Sequence, residues 1–203
     1  MKYLQDSYNL AEARGYLKYP ELLKVKDKMP NWLLSLGTDT GLADFKDKFE
    51  LSVPPSLQEF YSCLPLVCFL EMTIDGNVFL VEFDEETELP LVVNWLGTKH
   101  LAFACHGHSG SVCAARLETD EQNDPLVFWG FDDEDEPFED DRPSITFSEW
   151  IFNCVNGYDT RLEYWLNFYK DCKSNPAKER RLGSAEWVRK MPGMAEKLKK
   201  ENL

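Results

Sequence analysis

Residues 101–117 read LAFACHGHSGSVCAARL, and this stretch decides which fold the sequence predicts. On each side of its centre, successive residues fall alternately into two sets that would face opposite sides of a sheet. This is the two-residue period of a β-strand. The centre, HGHSG at residues 106–110, is short and contains the Gly and Ser of a tight turn. The stretch therefore predicts two paired strands. In the first strand Leu101, Phe103 and Cys105 alternate with Ala102, Ala104 and His106, and in the second Cys113, Ala115 and Leu117 alternate with Val112, Ala114 and Arg116.

Further strands are predicted on both sides of this pair. Residues 66–73 and 78–83 are apolar and flank Asp75-Gly76-Asn77, a sequence suited to a hairpin turn. Residues 126–129 read LVFW and predict a central strand that is covered on both faces. Consecutive short strands separated by turns favour an antiparallel or mixed sheet over alternating βαβ units. We therefore expect an α+β fold with a single, mostly antiparallel sheet.

Helices are predicted before the strands. Residues 21–28 and 31–36 are short helical pieces, since prolines interrupt them, and a turn at residues 37–41 precedes a further helix. Residues 53–64 carry apolar side chains at i, i+3, i+4 and i+7 behind two prolines, which indicates an amphipathic helix. We expect Pro65 to end that helix.

Helices are predicted after the strands as well. Thr146 and Glu149 have the spacing of a capping box before an apolar helix, and Gly157 is placed to end it. The sequence at residues 160–163 repeats the capping pattern before a second helix. A basic helix, broken near Pro192, is expected in the tail from residue 184. The aromatic residues of these helices, Phe60, Phe147 and Trp150, are predicted to lie in the core.

Size and charge bound the possible functions. The chain has 203 residues, enough for one buried core, and a net charge of −14. Residues 173–203 contain nine Lys and Arg against four Asp and Glu, so the acidic excess lies in the first 172 residues. An acidic body repels nucleic acids and anionic membranes and attracts basic partners. We therefore expect a protein partner, with no nucleic acid and no membrane bound, and a monomer or weak dimer.

The cysteines and the N-terminal residues indicate the compartment. No signal peptide is recognisable, and the longest apolar stretch, residues 64–70, is too short to span a bilayer. Each cysteine stands alone in an apolar segment, which is typical of a reduced, buried thiol rather than of a disulfide framework. A cytoplasmic protein with free thiols is expected. The six cysteines are Cys63, Cys68, Cys105, Cys113, Cys154 and Cys172.

Side chains that could bind a metal ion are present, but their spacing in the sequence does not match a known metal-binding motif. The metal-ligating types His100, Cys105, His106, His108 and Cys113 form no CxxC or HExxH pair, and the cysteines on the flanking strands point in conflicting directions. No phosphate-binding loop, dinucleotide fingerprint or nucleophile elbow occurs. We therefore predict no catalytic residue, no metal site and no cofactor. A metal-dependent or hydrolytic enzyme stays the weaker alternative.

The most unusual segment is DDEDEPFEDD at residues 132–141, which holds eight carboxylates in ten residues. One interpretation is a solvated loop between the last strand and the capped helix. The other is an acidic docking surface with neighbouring aromatic anchors. On the second interpretation the partner-binding residues are Trp129, Phe131, Asp132, Asp133, Glu134, Asp135, Glu136, Phe138, Glu139, Asp140 and Asp141.

Several of these stretches, in this order, resemble the SUKH superfamily, which joins the fungal cell-wall synthesis regulator to many bacterial immunity proteins. They are VPPSLQEFY at residues 53–61, the strand pair at 101–112, DPLV at 124–127 with the acidic segment, and FSEWI at 147–151. The likeness spans residues 42–156. It predicts a SUKH-like domain there, a helical extension at residues 1–41, and a second, basic helical extension at residues 157–203 packed on the same domain.

The resemblance also carries expectations about function. It implies a curved sheet, no enzymatic activity, and a cytoplasmic protein that binds and neutralises a cognate toxin, often a nuclease or deaminase. Such toxins need basic clefts, and an acidic inhibitor matches them. A regulatory scaffold of the cell-wall synthesis regulator type is the alternative, because a shared fold does not fix the partner.

Overall fold

The part of the chain that the computed structural model describes contains nine α-helices, one curled antiparallel sheet that forms a half-barrel, and a separate two-stranded ribbon. The described residues are 1–27, 29, 31–73, 78–79, 83–84, 89–106, 110–117, 123–131, 133–138, 144–174 and 186–203. Helices lie both before and after the sheet in sequence. The predicted α+β class, with a single curved and mostly antiparallel sheet, is confirmed.

The helices divide into a group before the sheet and a group after it. The first group is α1 (Gln5–Ala13), α2 (Glu21–Lys26), α3 (Asn31–Ser35), α4 (Asp39–Phe49), α5 (Pro55–Ser62) and α6 (Leu64–Thr73), with a 3₁₀ turn at Tyr16–Lys18. The second group is α7 (Phe147–Asn156), α8 (Tyr158–Ser174) and α9 (Met194–Lys200), with a 3₁₀ helix at Glu186–Lys190. None of the described helices is both long enough and apolar enough to cross a bilayer.

The sheet is built around its longest strand. The strands are β1 (Val78–Phe79), β2 (Phe83–Asp84), β3 (Leu89–Pro90), β4 (Val92–Trp95), β5 (Thr98–His106), β6 (Ser111–Arg116) and β7 (Val127–Phe131). The order is β1-β5-β6-β7, and β4 pairs with the same edge of β5 as β1 does, nearer the start of β5. The ribbon β2-β3 stands apart. The prediction that residues 126–129 form a central strand is wrong, because β7 lies at the edge of the described sheet and is only half-buried.

The two strands of the opening stretch pair as predicted, but a β-bulge interrupts their alternation. Ala102 faces Ala114 and Ala104 faces Cys113, so Phe103 is an extra residue on β5. Phe103 and Ala104 consequently both pack into the main core, and Cys105 moves to the opposite face of the sheet. The predicted grouping of Cys105 with Phe103 is therefore wrong, since one inserted residue reverses every side chain beyond it.

Residues 66–73 form a helix rather than the predicted strand. In α6 the buried residues occur on all sides of the helix, so no period of 3.6 is visible in the sequence. Pro65 lies in the first turn of α6, where its missing N–H costs no intrahelical hydrogen bond. Pro65 thus starts a second helix, while α5 ends just before it. The proposed turn at Asp75-Gly76-Asn77 lies outside the described residues.

The predicted helix ends are only partly correct. Thr146 and Glu149 form the expected capping box on α7, and Gly157 is its C-cap. However, Gly157 keeps a right-handed backbone (φ −75°), so the chain enters α8 at once and residues 160–163 lie inside that helix. Upstream, α4 starts within the predicted turn because the Thr38 hydroxyl caps it by accepting from the Gly41 N–H. The broken helical tail is confirmed as the 3₁₀ helix and α9.

One hydrophobic core joins the helices to one face of the sheet. It extends in sequence from Leu4 to Leu198. At its centre the Phe147 ring lies edge-on to the rings of Phe60 and Phe103, with centroids 5.5 and 4.9 Å away. The predicted core positions of Phe60 and Phe147 are confirmed, whereas Trp150 is half-buried at the edge of the core.

Candidate partner-binding surface

The predicted partner-binding residues divide into those that the structure describes and those that it does not. Asp132, Glu139, Asp140 and Asp141 lie outside the described residues. The others fall on β7 and on the loop at residues 133–138 that follows it. We call this loop the acidic loop.

The acidic loop folds back onto the sheet and is fixed there by its main chain. The Leu96 N–H donates a hydrogen bond to the Asp135 carbonyl at 2.7 Å, and the Phe138 N–H donates to the Trp129 carbonyl at 2.7 Å. The first bond joins the loop to the turn between β4 and β5, and the second joins it to β7. The loop therefore connects two parts of the sheet that are not neighbours in the strand order.

A buried tryptophan packs beneath the segment from Phe131 into the acidic loop, on the side of the sheet. Trp95 is fully buried, and its indole Nε1 donates to the Phe131 carbonyl at 2.9 Å. Gly130 allows Pro137 to pack directly against the backbone of β7, because a Cβ on Gly130 would lie 3.0 Å from both the Pro137 Cα and the Trp95 ring. These contacts cover a small second core on this face of the sheet. It contains Val93, Trp95, Ala102, Cys105, Val112 and Ala114.

The carboxylates of the loop point to solvent. Asp133, Glu134, Asp135 and Glu136 are all exposed. Within the described residues, none of them takes part in an ion pair. Because the main chain beneath them is hydrogen-bonded to the sheet, the four exposed charges are carried on a fixed backbone, where a partner can reach them.

The three predicted aromatic anchors have different surroundings. Phe138 is 38% exposed, and its ring lies edge-on to that of Phe131 with centroids 4.9 Å apart. Trp129 packs against the main core. The structure thus brings the rings of Phe138 and Phe131 together beside the acidic loop, whereas the Trp129 ring contributes to the main core.

Leu96 belongs to this surface and was not predicted from the sequence. It is 68% exposed and has a left-handed backbone (φ 53°), followed by Gly97 with φ 72°. Two such residues between Trp95 and Thr98 form a two-residue hairpin turn, a place where Asn or Gly is usual. Gly97 was the available signal in the sequence, since it marks a turn between two short strands.

The side chains of the alternative metal hypothesis are not brought together in the part of the chain described. Cys105 and Cys113 lie on opposite faces of the sheet. His100 is buried between the rings of Trp95 and Phe128, and its Nδ1 lies 2.9 Å from the Thr98 carbonyl oxygen. His108 and the side chain of His106 lie outside the described residues. Among described residues, no three His, Cys, Asp or Glu are grouped to hold a metal ion.

The cysteines form no disulfide bonds. This holds for all six in the structure, as expected. Burial raises the pKa of Cys154 to about 12 and that of Cys68 to about 11. Thiols with such pKa values carry almost no thiolate near neutral pH and are poor nucleophiles. They offer no basis for cysteine chemistry at these two positions.

Comparison of the chain with protein-family models, with curated proteins and with solved structures finds no match. The resemblance to the SUKH superfamily therefore stays a prediction made from the residues themselves.

Proposed function

We propose that this protein is a non-enzymatic binding module that holds a basic protein partner on the surface formed by Leu96, the acidic loop and Phe138. The partner that fits best is a basic, nucleic-acid-targeting toxin domain, which makes the chain a cytoplasmic immunity protein of the SUKH type. One observation carries the proposal. Four exposed carboxylates stand on a loop whose main chain is hydrogen-bonded to the sheet at two places.

The physical argument starts from the fixed backbone. A charged loop that is already ordered loses little conformational entropy when a partner binds, so more of the interaction energy becomes affinity. Concentrated negative charge on a body of net charge −14 also steers a basic partner and raises its association rate. A nuclease cleft shaped to hold phosphate offers the complementary positive charge.

Apolar side chains border the charges on two sides. Leu96 and Phe138 are two of the exposed large hydrophobic residues. The Leu96 N–H is hydrogen-bonded to the acidic loop, and the Phe138 N–H is hydrogen-bonded to β7. Interfaces gain most of their energy from a few apolar or aromatic anchors, while rim charges set specificity and rate. The surface combines both kinds of group.

The test uses two variants with the same change of net charge. The first replaces Asp133, Glu134, Asp135 and Glu136 by Asn or Gln. The control makes the same kind of replacement at four exposed acids elsewhere, Glu12, Asp27, Asp44 and Asp47. Wild type and both variants serve as baits, and the recovered partner is purified for association kinetics at several salt concentrations.

We expect the loop variant to associate about tenfold or more slowly at low salt and to lose most of the salt dependence. The control variant should stay close to wild type. Equal rates and salt slopes for the two variants would rule out the acidic loop as the binding surface. A partner that proves to be a cell-wall signalling factor instead of a toxin would favour the scaffold alternative.

A further inference from the structure

An open cleft lies between the N-terminal part of the chain and α7. None of the described residues that line it belongs to the acidic loop. Its volume is about 330 Å³, and its lining includes Tyr3, Asp6, Glu149, Phe152 and Asn153. A cleft of this size can take one extended side chain or a small molecule. The question is which chemistry its lining recognises.

Two carboxylates face this cleft from different helices. Asp6 belongs to the first turn of α1, and Glu149 to the first turn of α7. Glu149 Oε2 accepts a hydrogen bond from the Thr146 N–H at 2.9 Å, and the second carboxylate oxygen, Oε1, is not used in the capping box. The described lining contains no Lys, Arg or His to neutralise the two charges. The cleft is therefore suited to a cation.

The aromatic rings of the lining point to the same class of ligand. Phe152 lines the cleft from α7 and is 37% exposed, so its ring is accessible to a ligand there. At the edge of the cleft, the Lys2 ammonium lies 5.0 Å from the centroid of the Tyr3 ring and 3.3 Å from the Tyr3 hydroxyl. The chain thus already holds one cation against an aromatic ring at this place.

We propose that this cleft binds a guanidinium group carried on an aliphatic chain. A planar guanidinium can stack on the Phe152 ring while its fork of N–H groups pairs with Asp6 and Glu149. The aliphatic stem finds an apolar wall in Ile145, which also lines the cleft. This inference goes beyond the proposed function, since the described lining of the cleft does not include the acidic loop.

The direct test is a titration of the full-length, ¹⁵N-labelled protein with Nα-acetyl-arginine amide. The amide signals of Ser7, Phe152 and Asn153 should shift in a saturable manner. The citrulline analogue has the same shape without the charge and should leave these signals unchanged. The lysine analogue should bind at least about threefold more weakly than the arginine amide. Equal binding of the citrulline analogue, or shifts confined to residues 133–136, would overturn the proposal.

Single substitutions identify which residues of the cleft contact the guanidinium group. Asp6→Asn and Glu149→Gln should each weaken binding about threefold to tenfold, because each removes a charge-assisted hydrogen bond at a partly exposed site. Glutamine at position 149 can still complete the capping box, so the fold should be retained. Glu12→Gln removes an exposed carboxylate from α1 outside the cleft and should leave affinity unchanged.

Two further substitutions separate cation recognition from general apolar contact. Phe152→Leu keeps an apolar side chain but loses the ring, and affinity should fall about threefold through the lost cation–π contact. Lys2→Gln removes a competing positive charge and should raise affinity instead. A decrease for Lys2→Gln, or no effect of Phe152→Leu, would contradict the proposed geometry. Thermal unfolding of each variant checks that the fold is intact.

The guanidinium could come from a small molecule or from the arginine of a partner protein, and two probes distinguish them. Agmatine is a free alkylguanidine, and acetyl-Gly-Arg-Gly-amide presents the same group on a peptide. Tighter binding of the peptide indicates a partner side chain, and tighter binding of agmatine indicates a metabolite. Equal affinities mean that the guanidinium and its stem suffice. Absence of binding by both would refute the site.

Discussion

Asp124 caps α7 from outside the helix: its Oδ1 accepts a hydrogen bond from the Ser148 N–H at 3.0 Å, and the Ser148 hydroxyl donates to its Oδ2. The neighbouring Phe147 N–H donates to the Pro125 carbonyl at 2.8 Å. With the capping box of Thr146, the first three N–H groups of α7 all have acceptors. Residues 124–125 therefore tie the start of β7 to the start of α7.

Asp124→Ala should destabilise the protein by about 1–2 kcal/mol, the usual cost of losing a helix cap. Asp124→Asn should cost less, since the amide oxygen can still accept from the Ser148 N–H. Urea unfolding followed by circular dichroism measures both. An Asp124→Ala variant with the free energy of unfolding of wild type would show that this cap contributes nothing.

The aromatic residues of α7 should differ in proportion to their burial. Phe147→Ala removes a fully buried ring and should cost about 3–5 kcal/mol of unfolding free energy. Trp150→Ala should cost clearly less, because Trp150 is only half-buried. Phe152→Ala, at 37% exposure on the same helix, serves as the control and should change stability least. Any other order would mean that α7 is rotated about its axis.

Gly130→Ala should loosen the acidic loop. The added Cβ would meet the Pro137 Cα and the Trp95 ring at 3.0 Å, so one of them must shift, at a cost of about 1–3 kcal/mol. The amide signals of Leu96 and Phe138 report the two hydrogen bonds of the loop, and faster hydrogen exchange at both is expected. Unchanged exchange at these two amides would mean that Pro137 does not pack as described.

Leu96→Asn should leave the fold intact and raise its stability. A leucine with φ 53° is strained, whereas Asn tolerates the left-handed region, so a gain of up to about 1 kcal/mol is expected. If Leu96 is also a contact of the proposed partner, the same variant should bind more weakly. Stabilisation combined with lost binding would separate the two roles of this residue.

A buried tyrosine should make the protein sensitive to high pH. Burial raises the pKa of Tyr158, whose hydroxyl donates to the Pro192 carbonyl at 2.8 Å. Above about pH 10 the unfolded chain releases this proton while the folded chain keeps it, so stability is complete below that pH and falls above it. Tyr158→Phe should cost about 1 kcal/mol at pH 7 and make the alkaline decline shallower.

The matched control for this pH effect is Tyr164→Phe on the same helix, because Tyr164 is 62% exposed. It should leave the stability at pH 7 unchanged, because it removes neither a buried side chain nor the hydrogen bond to the Pro192 carbonyl. A steep alkaline decline that persists unchanged in Tyr158→Phe would assign the effect to other groups.

Local signals in the sequence predict some elements correctly and fail at others for identifiable reasons. The capping box at Thr146 works because it involves only residues within one turn of each other. The strand prediction at residues 66–73 fails because α6 is buried on all sides, and a short, uniformly apolar run lacks the periodicity that separates helix from strand. The burial of α6 depends on distant elements.

The same limit applies to the sheet and to the candidate surface. No residue type marks Phe103 as the bulge, since the insertion appears only when β5 is aligned with β6. The acidic segment is conspicuous in the sequence, but its attachment to Leu96 joins positions 39 residues apart, 96 and 135, through backbone atoms. Side-chain patterns carry no information about such main-chain bonds.

The core that extends from Leu4 to Leu198 has a consequence for how the protein is made. During synthesis the helices that precede the sheet leave the ribosome earlier than the sheet does, yet their apolar faces pack against α7 and α8, which follow the sheet in sequence. The Arg14 guanidinium, for example, donates to the Val155 carbonyl, 141 positions later. Nascent chains must therefore wait with exposed apolar surface until α7 and α8 have been synthesised, and this interval is when chaperones have most to bind.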